Sequence, residues 1–166
     1  MDPDYILALM RNRRSIRKFK EDPVPDELID KILEAARWCQ SASNRQPWRF
    51  IVIKKKELIK DLKECTTYGK FLDQAPVVIA VVGDKGKAPK WYLHDTCMAS
   101  HQICLMAWAL GLGTCWIGSM DREKGAELLN LGKKEFLTTI LPIGYPASIP
   151  SPSTRNKLEK IVTKVE

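Results

Sequence analysis

The sequence predicts an α+β fold in which one sheet is flanked by helices. Three observations carry that prediction. Pro76-Val77-Val78-Ile79-Ala80-Val81-Val82-Gly83 is an unbroken apolar run rich in β-branched residues, the pattern of a central strand covered on both faces. Pro25 to Cys39 places Leu28, Ile29, Ile32, Leu33, Ala36 and Cys39 on one face, the pattern of an amphipathic helix. Strand and helix signals alternate, yet strand signals are few for 166 residues.

Taken in order, Tyr5, Ile6, Leu9 and Met10 recur at helical spacing and predict a first helix. That helix runs into Arg11-Asn12-Arg13-Arg14-Ser15-Ile16-Arg17-Lys18-Phe19-Lys20, a stretch of ten residues of which six are cationic. Arg13, Arg14, Ser15 and Arg17 put three guanidinium groups and a hydroxyl into five positions. A guanidinium donates paired hydrogen bonds to a phosphate and keeps its charge at any working pH, so the cluster suits a phosphorylated cofactor. A solvated basic surface would read the same way. Ile16 and Phe19 alternate with the charges, which predicts one side packed inward.

Glu21-Asp22-Pro23-Val24-Pro25 breaks the chain before the second helix, with Pro25 suited to its first position and Asp26 and Glu27 to the positive end of its dipole. Gln40 to Trp48 is then a polar loop of small residues closed by Pro47. It is either an ordinary connection or a functional loop offering short donors and acceptors to a polar ring. Arg49 to Ile53 predicts a buried strand, Lys54 to Cys65 a basic surface helix, and Tyr68 to Asp73 a short helix. After the turn Asp84 to Lys90, a long helix is predicted from Trp91 to Leu112, its second half apolar all round and so buried. Gly111 to Gly118 ends that helix and enters an extended segment. Asp121 to Leu131 predicts a helix, and Leu137 to Ile143 a strand closed by Gly144-Tyr145-Pro146. Pro150 to Asn156 is irregular; Leu158, Ile161, Val162 and Val165 predict a last strand or helix.

His94, Cys97, His101 and Cys104 share one face of the long helix. A single straight helix cannot wrap four side chains around one zinc ion in a tetrahedron, so the reading is a packing or interface face and no metal. The five cysteines are odd in number with no CxxC pair, which predicts a reducing compartment. The start Met1-Asp2-Pro3-Asp4 is acidic with no apolar leader, and the longest apolar run, Ile103 to Leu112, is half of the roughly 20 residues a bilayer span needs. The expectation is a cytoplasmic protein without a membrane partner. A net charge of +7, from 27 basic and 20 acidic residues, favours anionic partners.

No GxGxxG follows a strand, and no GxxxxGK[ST] or GxSxG occurs. Both histidines lie on the long helix, which argues against a histidine base. A phosphate-binding cluster and polar loops without an obvious nucleophile or base imply that a cofactor carries the chemistry, and no catalytic side chain is assigned.

In type and order, Arg13 to Phe19, Ser41 to Phe50 and Gly111 to Gly118 resemble the FMN-dependent nitroreductase family. The likeness runs from about Asp4 to about Arg155, and the whole chain, 1–166, is expected to be one such domain. The resemblance implies an interlocked homodimer with FMN at the subunit interface. It implies that Arg13, Arg14, Ser15 and Arg17 hold the phosphate, ribityl chain and ring edge near N1 and O2. It places Ser41, Ala42, Asn44 and Gln46 along the partner's flavin and Trp116, Ile117 and Gly118 along the ring. Arg155 resembles a tail arginine that returns to the phosphate. Reduced flavin is negative near N1 and O2, so a neighbouring guanidinium raises its potential. Gly118 has no Cβ to keep its N–H from flavin N5. Gln40 departs from the proline often found before the serine, and the chain is short for the family.

The implied activity is transfer of electrons from NAD(P)H through FMN to a small-molecule acceptor such as a nitro compound or quinone, by a ping-pong mechanism. Reductive dehalogenation or flavin destruction, a flavin-binding sensing or storage module, and a basic nucleic-acid-binding protein are the alternatives; the leading reading involves no nucleic acid.

Overall fold

The computed structural model describes residues 2–165. Its elements are α1 (Pro3–Asn12), α2 (Asp26–Arg37), β1 (Trp48–Ile53), α3 (Lys56–Glu64), β2 (Val77–Asp84), α4 (Tyr92–Ala109), β3 (Gly113–Thr114), α5 (Arg122–Leu128) and β4 (Glu135–Gly144). Single 3₁₀ turns occur at Ala42–Asn44, Leu72–Gln74 and Leu158–Lys160. The four strands form one antiparallel sheet in the order β1-β2-β4-β3.

Strand β2 is the axis of the fold, and its side chains divide with period two. Val77, Ile79 and Val81 join Ile29, Ile32 and Ala36 of α2 and Ala99, Ile103 and Ala107 of α4 on one face. Val78, Ala80 and Val82 join Ile59 and Leu62 of α3 and Leu137 and Ile140 of β4 on the other. Burying an aliphatic side chain of this size is worth about 1.5–3 kcal/mol, so this two-sided filling explains why the run carries no polar residue. The register between β2 and β4 slips between Val81 and Val82, leaving Thr138 as an extra residue. Its buried hydroxyl lies 2.9 Å from that of Thr96 on α4, which satisfies both.

Several expectations are corrected. Strand β1 is an edge strand with one hydrogen-bonded neighbour, and only Ile53 is fully buried in it. The second half of α4 is not buried all round. Ile103, Cys104 and Ala107 face the sheet, whereas Gln102, Leu105 and Met106 are half-buried and line an open groove of roughly 180 Å³ with Leu9 and Ala35. The segment from Tyr68 to Asp73 is a loop leading to one 3₁₀ turn, and α5 ends at Leu128, just before Asn130 takes a φ of 50°. The tail forms only the turn Leu158–Lys160, with Leu158, Ile161, Val162 and Val165 exposed.

Helix α4 also stops short of Leu112. Gly111 adopts φ 75°, and the Leu112 N–H bonds back to the Ala107 carbonyl at 2.8 Å while the Gly111 N–H bonds to Trp108 at 3.1 Å. This paired return satisfies two end carbonyls and turns the chain into β3. Among the described residues no helix is long and apolar enough to cross a membrane.

Candidate functional site

The turn after α4 creates the site by giving the arginine stretch an edge to lie against. Ser15 bridges Thr114 of β3, and the Ile16 N–H donates to the Thr114 carbonyl at 2.8 Å. Further on, Lys20 donates to the Tyr145 carbonyl and Ala147 to the Lys18 carbonyl, each at 2.9 Å. The stretch is thus an extended ribbon pinned at both ends to the sheet rather than a mobile arm. Ile16 and Phe19 are buried against Ala75, Phe71 and Trp108, as their alternation predicts. The guanidinium groups are left on the other side.

They line a cleft of roughly 630 Å³. Arg11, Arg13, Arg14, Ser15 and Arg17 form one wall, and Pro150 to Ser153 with Arg155 form the other. Among the described residues no carboxylate lines it. Arg14 also has a structural role. Its Nη1 donates to the Arg11 and Arg13 carbonyls at 2.7 and 2.9 Å and so closes the C-terminal end of α1. Its Nε is buried without an acceptor among the described residues. Arg155 is held in the tail by bonds from Nη1 to Ser153 and Thr154.

A second cleft of roughly 290 Å³ adjoins the first through Arg17. Trp116, Ile117, Gly118 and Ser119 line it together with Tyr68, Phe71 and Cys115. Trp116 and Tyr68 are substantially exposed and flank the opening. Burial pushes the Cys115 thiol up, against the opposing pull of Arg17 and Ser15, so it stays protonated at neutral pH and is a poor nucleophile. Among the described residues no histidine or carboxylate lines this cleft. The first cleft is lined by cations suited to an anionic group and the second by aromatic and backbone groups suited to a planar one, with no histidine or carboxylate among the described residues lining either.

Ser41, Ala42, Asn44 and Gln46 line neither cleft of this chain. Their loop lies against the N-terminal half of α4, where the Ala42 N–H meets both oxygens of the buried Asp95 carboxylate at 3.2 and 3.4 Å. Ser41 Oγ accepts the Gln46 N–H at 2.9 Å, and Gln46 Nε2 reaches Asn44 Oδ1 at 3.0 Å. Ser43, Asn44 and Gln46 have φ of 53°, 52° and 48°. Left-handed backbone at non-glycine residues costs about 1–3 kcal/mol each, so the loop is held in a set shape by these contacts. Sequence reasoning missed Asp95, whose signal is an acid inside a largely apolar helix. It also missed Arg122, which donates to the Gly118 carbonyl at 2.7 Å. Among the described residues no group of three or more His, Cys, Asp or Glu could hold a metal ion.

Comparison with known proteins identifies the family. The sequence model of the Nitroreductase family matches residues 10–145. A protein of Methanothermobacter thermautotrophicus, provisionally named NADH dehydrogenase/NAD(P)H nitroreductase, is 39% identical over 157 residues, covering 91% of this chain and 81% of its own. An FMN reductase [NAD(P)H] of Bacillus subtilis is 30% identical over 164 residues, covering 86% of this chain and 66% of its own. The solved structure of an FMN-dependent nitroreductase from Clostridium difficile superposes with a TM-score of 0.87 at 32% identity, covering 96% of this chain and 98% of that one. The chain belongs to the nitroreductase family.

Proposed function

We propose that the protein is an FMN-dependent oxidoreductase that passes electrons from NAD(P)H to nitro compounds, quinones or similar small acceptors, working as a cytoplasmic homodimer. The observation that carries this reading is the joined pair of clefts, one lined, among the described residues, by five arginines and no carboxylate, the other by Trp116 and the Gly118 backbone. The donor set fits FMN. The buried Arg14 Nε lacks an acceptor, and a terminal phosphate at the arginine wall would sit among charge-assisted donors.

Bound FMN supplies hydride acceptance and delivery. Arg13, Arg14, Ser15, Arg17 and Arg155 bind and neutralise the phosphate end. Arg17 stands where the two clefts meet and carries positive charge toward the ring. Trp116 and Ile117 give the ring an apolar wall, and Gly118 leaves its backbone open to it. Tyr68 and Trp116 narrow the mouth through which the nicotinamide and then the acceptor enter. With no histidine or carboxylate among the described residues lining the second cleft, solvent protonates the reduced product.

Because both substrates would use one opening, initial-rate plots of NAD(P)H against menadione should give parallel lines. Intersecting lines would mean a ternary complex and would overturn the single-opening mechanism.

The dimer reading rests on two features of the chain. The groove beside α4 leaves Leu9, Leu105 and Met106 only half-buried, and the tail exposes Leu158, Ile161 and Val162. The loop carrying Ser41, Ala42, Asn44 and Gln46 lies outside the clefts of its own chain, as a residue set serving a partner's site would. Arg13→Ala removes a cleft arginine, and Asn44→Gly removes the loop side chain without opposing its positive φ. Each variant alone should lose flavin. A dimer purified with one chain of each kind should regain one flavin, because one of its two sites is then wild type. A heterodimer as empty as either parent would show that each site lies within one chain.

A further inference from the structure

Arg122, the first residue of α5, stands behind the turn that floors the second cleft and lines neither cleft itself. Its Nη2 donates to the Gly118 carbonyl at 2.7 Å. Its guanidinium carbon sits 5.5 Å from the centre of the Phe136 ring, which is met edge-on by Tyr92 at 5.5 Å. Its Nε is buried and has no acceptor. Among the described residues Arg122 has no carboxylate partner. A partly enclosed cation facing only an aromatic ring and one carbonyl is costly to keep, since neither offsets the lost hydration as a carboxylate would. A plain helix start needs no such group, because Asp121 already caps α5 by accepting the Lys124 N–H at 3.1 Å.

The Gly118 carbonyl belongs to the same peptide unit as the Ser119 N–H. The described residues have no cis peptides, and in a planar trans unit the C=O and N–H point in opposite directions. With the carbonyl drawn back to Arg122, the Ser119 N–H points away from it, toward the side on which Gly118 and Ser119 line the cleft. Neither the Gly118 nor the Ser119 N–H has a backbone acceptor among the described residues. The far end of the turn is clamped too: the Ser119 carbonyl accepts the Thr67 N–H at 3.0 Å, and Ser119 Oγ meets Thr67 Oγ1 at 3.1 Å. A cation bonded to a peptide carbonyl also polarises that peptide and makes its N–H a stronger donor.

We propose that Arg122 is a positioning residue for the flavin: by gripping the Gly118 carbonyl it aims the Ser119 N–H into the second cleft and strengthens it as a donor to the acceptor edge of the bound ring. This rests on the FMN reading. Donation of this kind favours the reduced ring, which carries more negative charge, over the oxidised one.

The test compares wild type, Arg122→Met and Arg122→Lys as FMN-loaded proteins. Three quantities are read: the flavin midpoint potential, the FMN dissociation constant, and hydrogen exchange of the segment from Trp116 to Met120. Arg122→Met should release FMN up to about tenfold more readily, the weight of roughly one hydrogen bond. It should speed exchange in that segment alone and lower the potential. A tenfold loss of preference for the reduced ring corresponds to about 30 mV for a two-electron couple. Arg122→Lys keeps a cation within reach of the carbonyl and should fall between the two. If Arg122→Met does not fold, Arg122→Lys carries the test through its smaller shift in potential. A potential and exchange pattern equal to wild type in the loaded variants, even with a lower melting temperature, would overturn the proposal and leave Arg122 a packing residue. A wild-type protein that fails to take up FMN would instead overturn the functional reading on which the proposal rests.

Discussion

Replacing Arg13 and Arg17 together by alanine should strip the protein of FMN while leaving it folded. Both side chains line the first cleft, and neither guanidinium has a hydrogen-bond or carboxylate partner among the described residues. Their charge is therefore directed at a ligand, in contrast to Arg49, which is paired with Glu135 at 2.7 Å. A hydrogen bond to a charged group is worth about 1.5–3 kcal/mol, so losing two weakens binding by about 10²- to 10⁴-fold. Apoprotein stability should hold or rise, because five guanidinium groups facing one cleft repel one another when no anion separates them. Arg14→Ala should behave differently. It also frees the Arg11 and Arg13 carbonyls at the end of α1, so it should lower the melting temperature of the apoprotein as well as FMN affinity. Lys55→Ala, outside both clefts, is the control for a general basic field. Fluorescence titration of apoprotein with FMN measures all of these affinities. Double-mutant affinity within a few-fold of wild type would show that the cleft is not the phosphate site.

The sheet and the arginine ribbon were legible because their signals are local and periodic. The unbroken apolar run from Val77 to Val82 predicts two covered faces, and the chain indeed packs α2 and α4 on one and α3 on the other. Ile16 and Phe19 predict which side of the basic stretch turns inward. What failed depends on neighbours that the local pattern does not name. An apolar run reads alike in an edge strand and a central one, so β1 looked buried. An apolar helix reads alike whether its outer face is covered or left as an open groove, so α4 looked enclosed. Asp95 and Arg122 act through contacts with Ala42 and Gly118, one far along the chain and one a single helical turn away, and neither carries a repeating signal. Arg14 illustrates a different ambiguity. The same donors serve a helix end and a phosphate, and only the placement of the Arg11 carbonyl separates the two roles.

Gly113→Ala should damage stability and flavin binding together, because Gly113 joins the core to the ribbon. A Cβ built there would lie 2.6 Å from Ile16 Cγ1, 2.7 Å from its Cβ and 2.8 Å from its Cγ2. Ile16 is completely buried and β-branched, so it has no free rotamer into which to retreat. The ribbon must then lift from β3, straining the Ile16 N–H bond to Thr114 and displacing the arginines on either side of it. Overpacking of this kind costs about 1–3 kcal/mol. At this chain length each kcal/mol lowers the melting temperature by about 2–4 °C. Gly111→Ala separates this effect from simple backbone strain. Its Cβ would meet nothing within 4 Å, but its φ of 75° penalises any side chain. It should cost about 1–2 kcal/mol of stability and leave FMN affinity near wild type. Thermal melts of the apoproteins paired with FMN titrations measure both effects. If Gly113→Ala lowers the melting temperature like Gly111→Ala yet binds FMN as tightly, the ribbon is not what positions the arginines, and packing of Ile16 against β3 would matter for the fold alone.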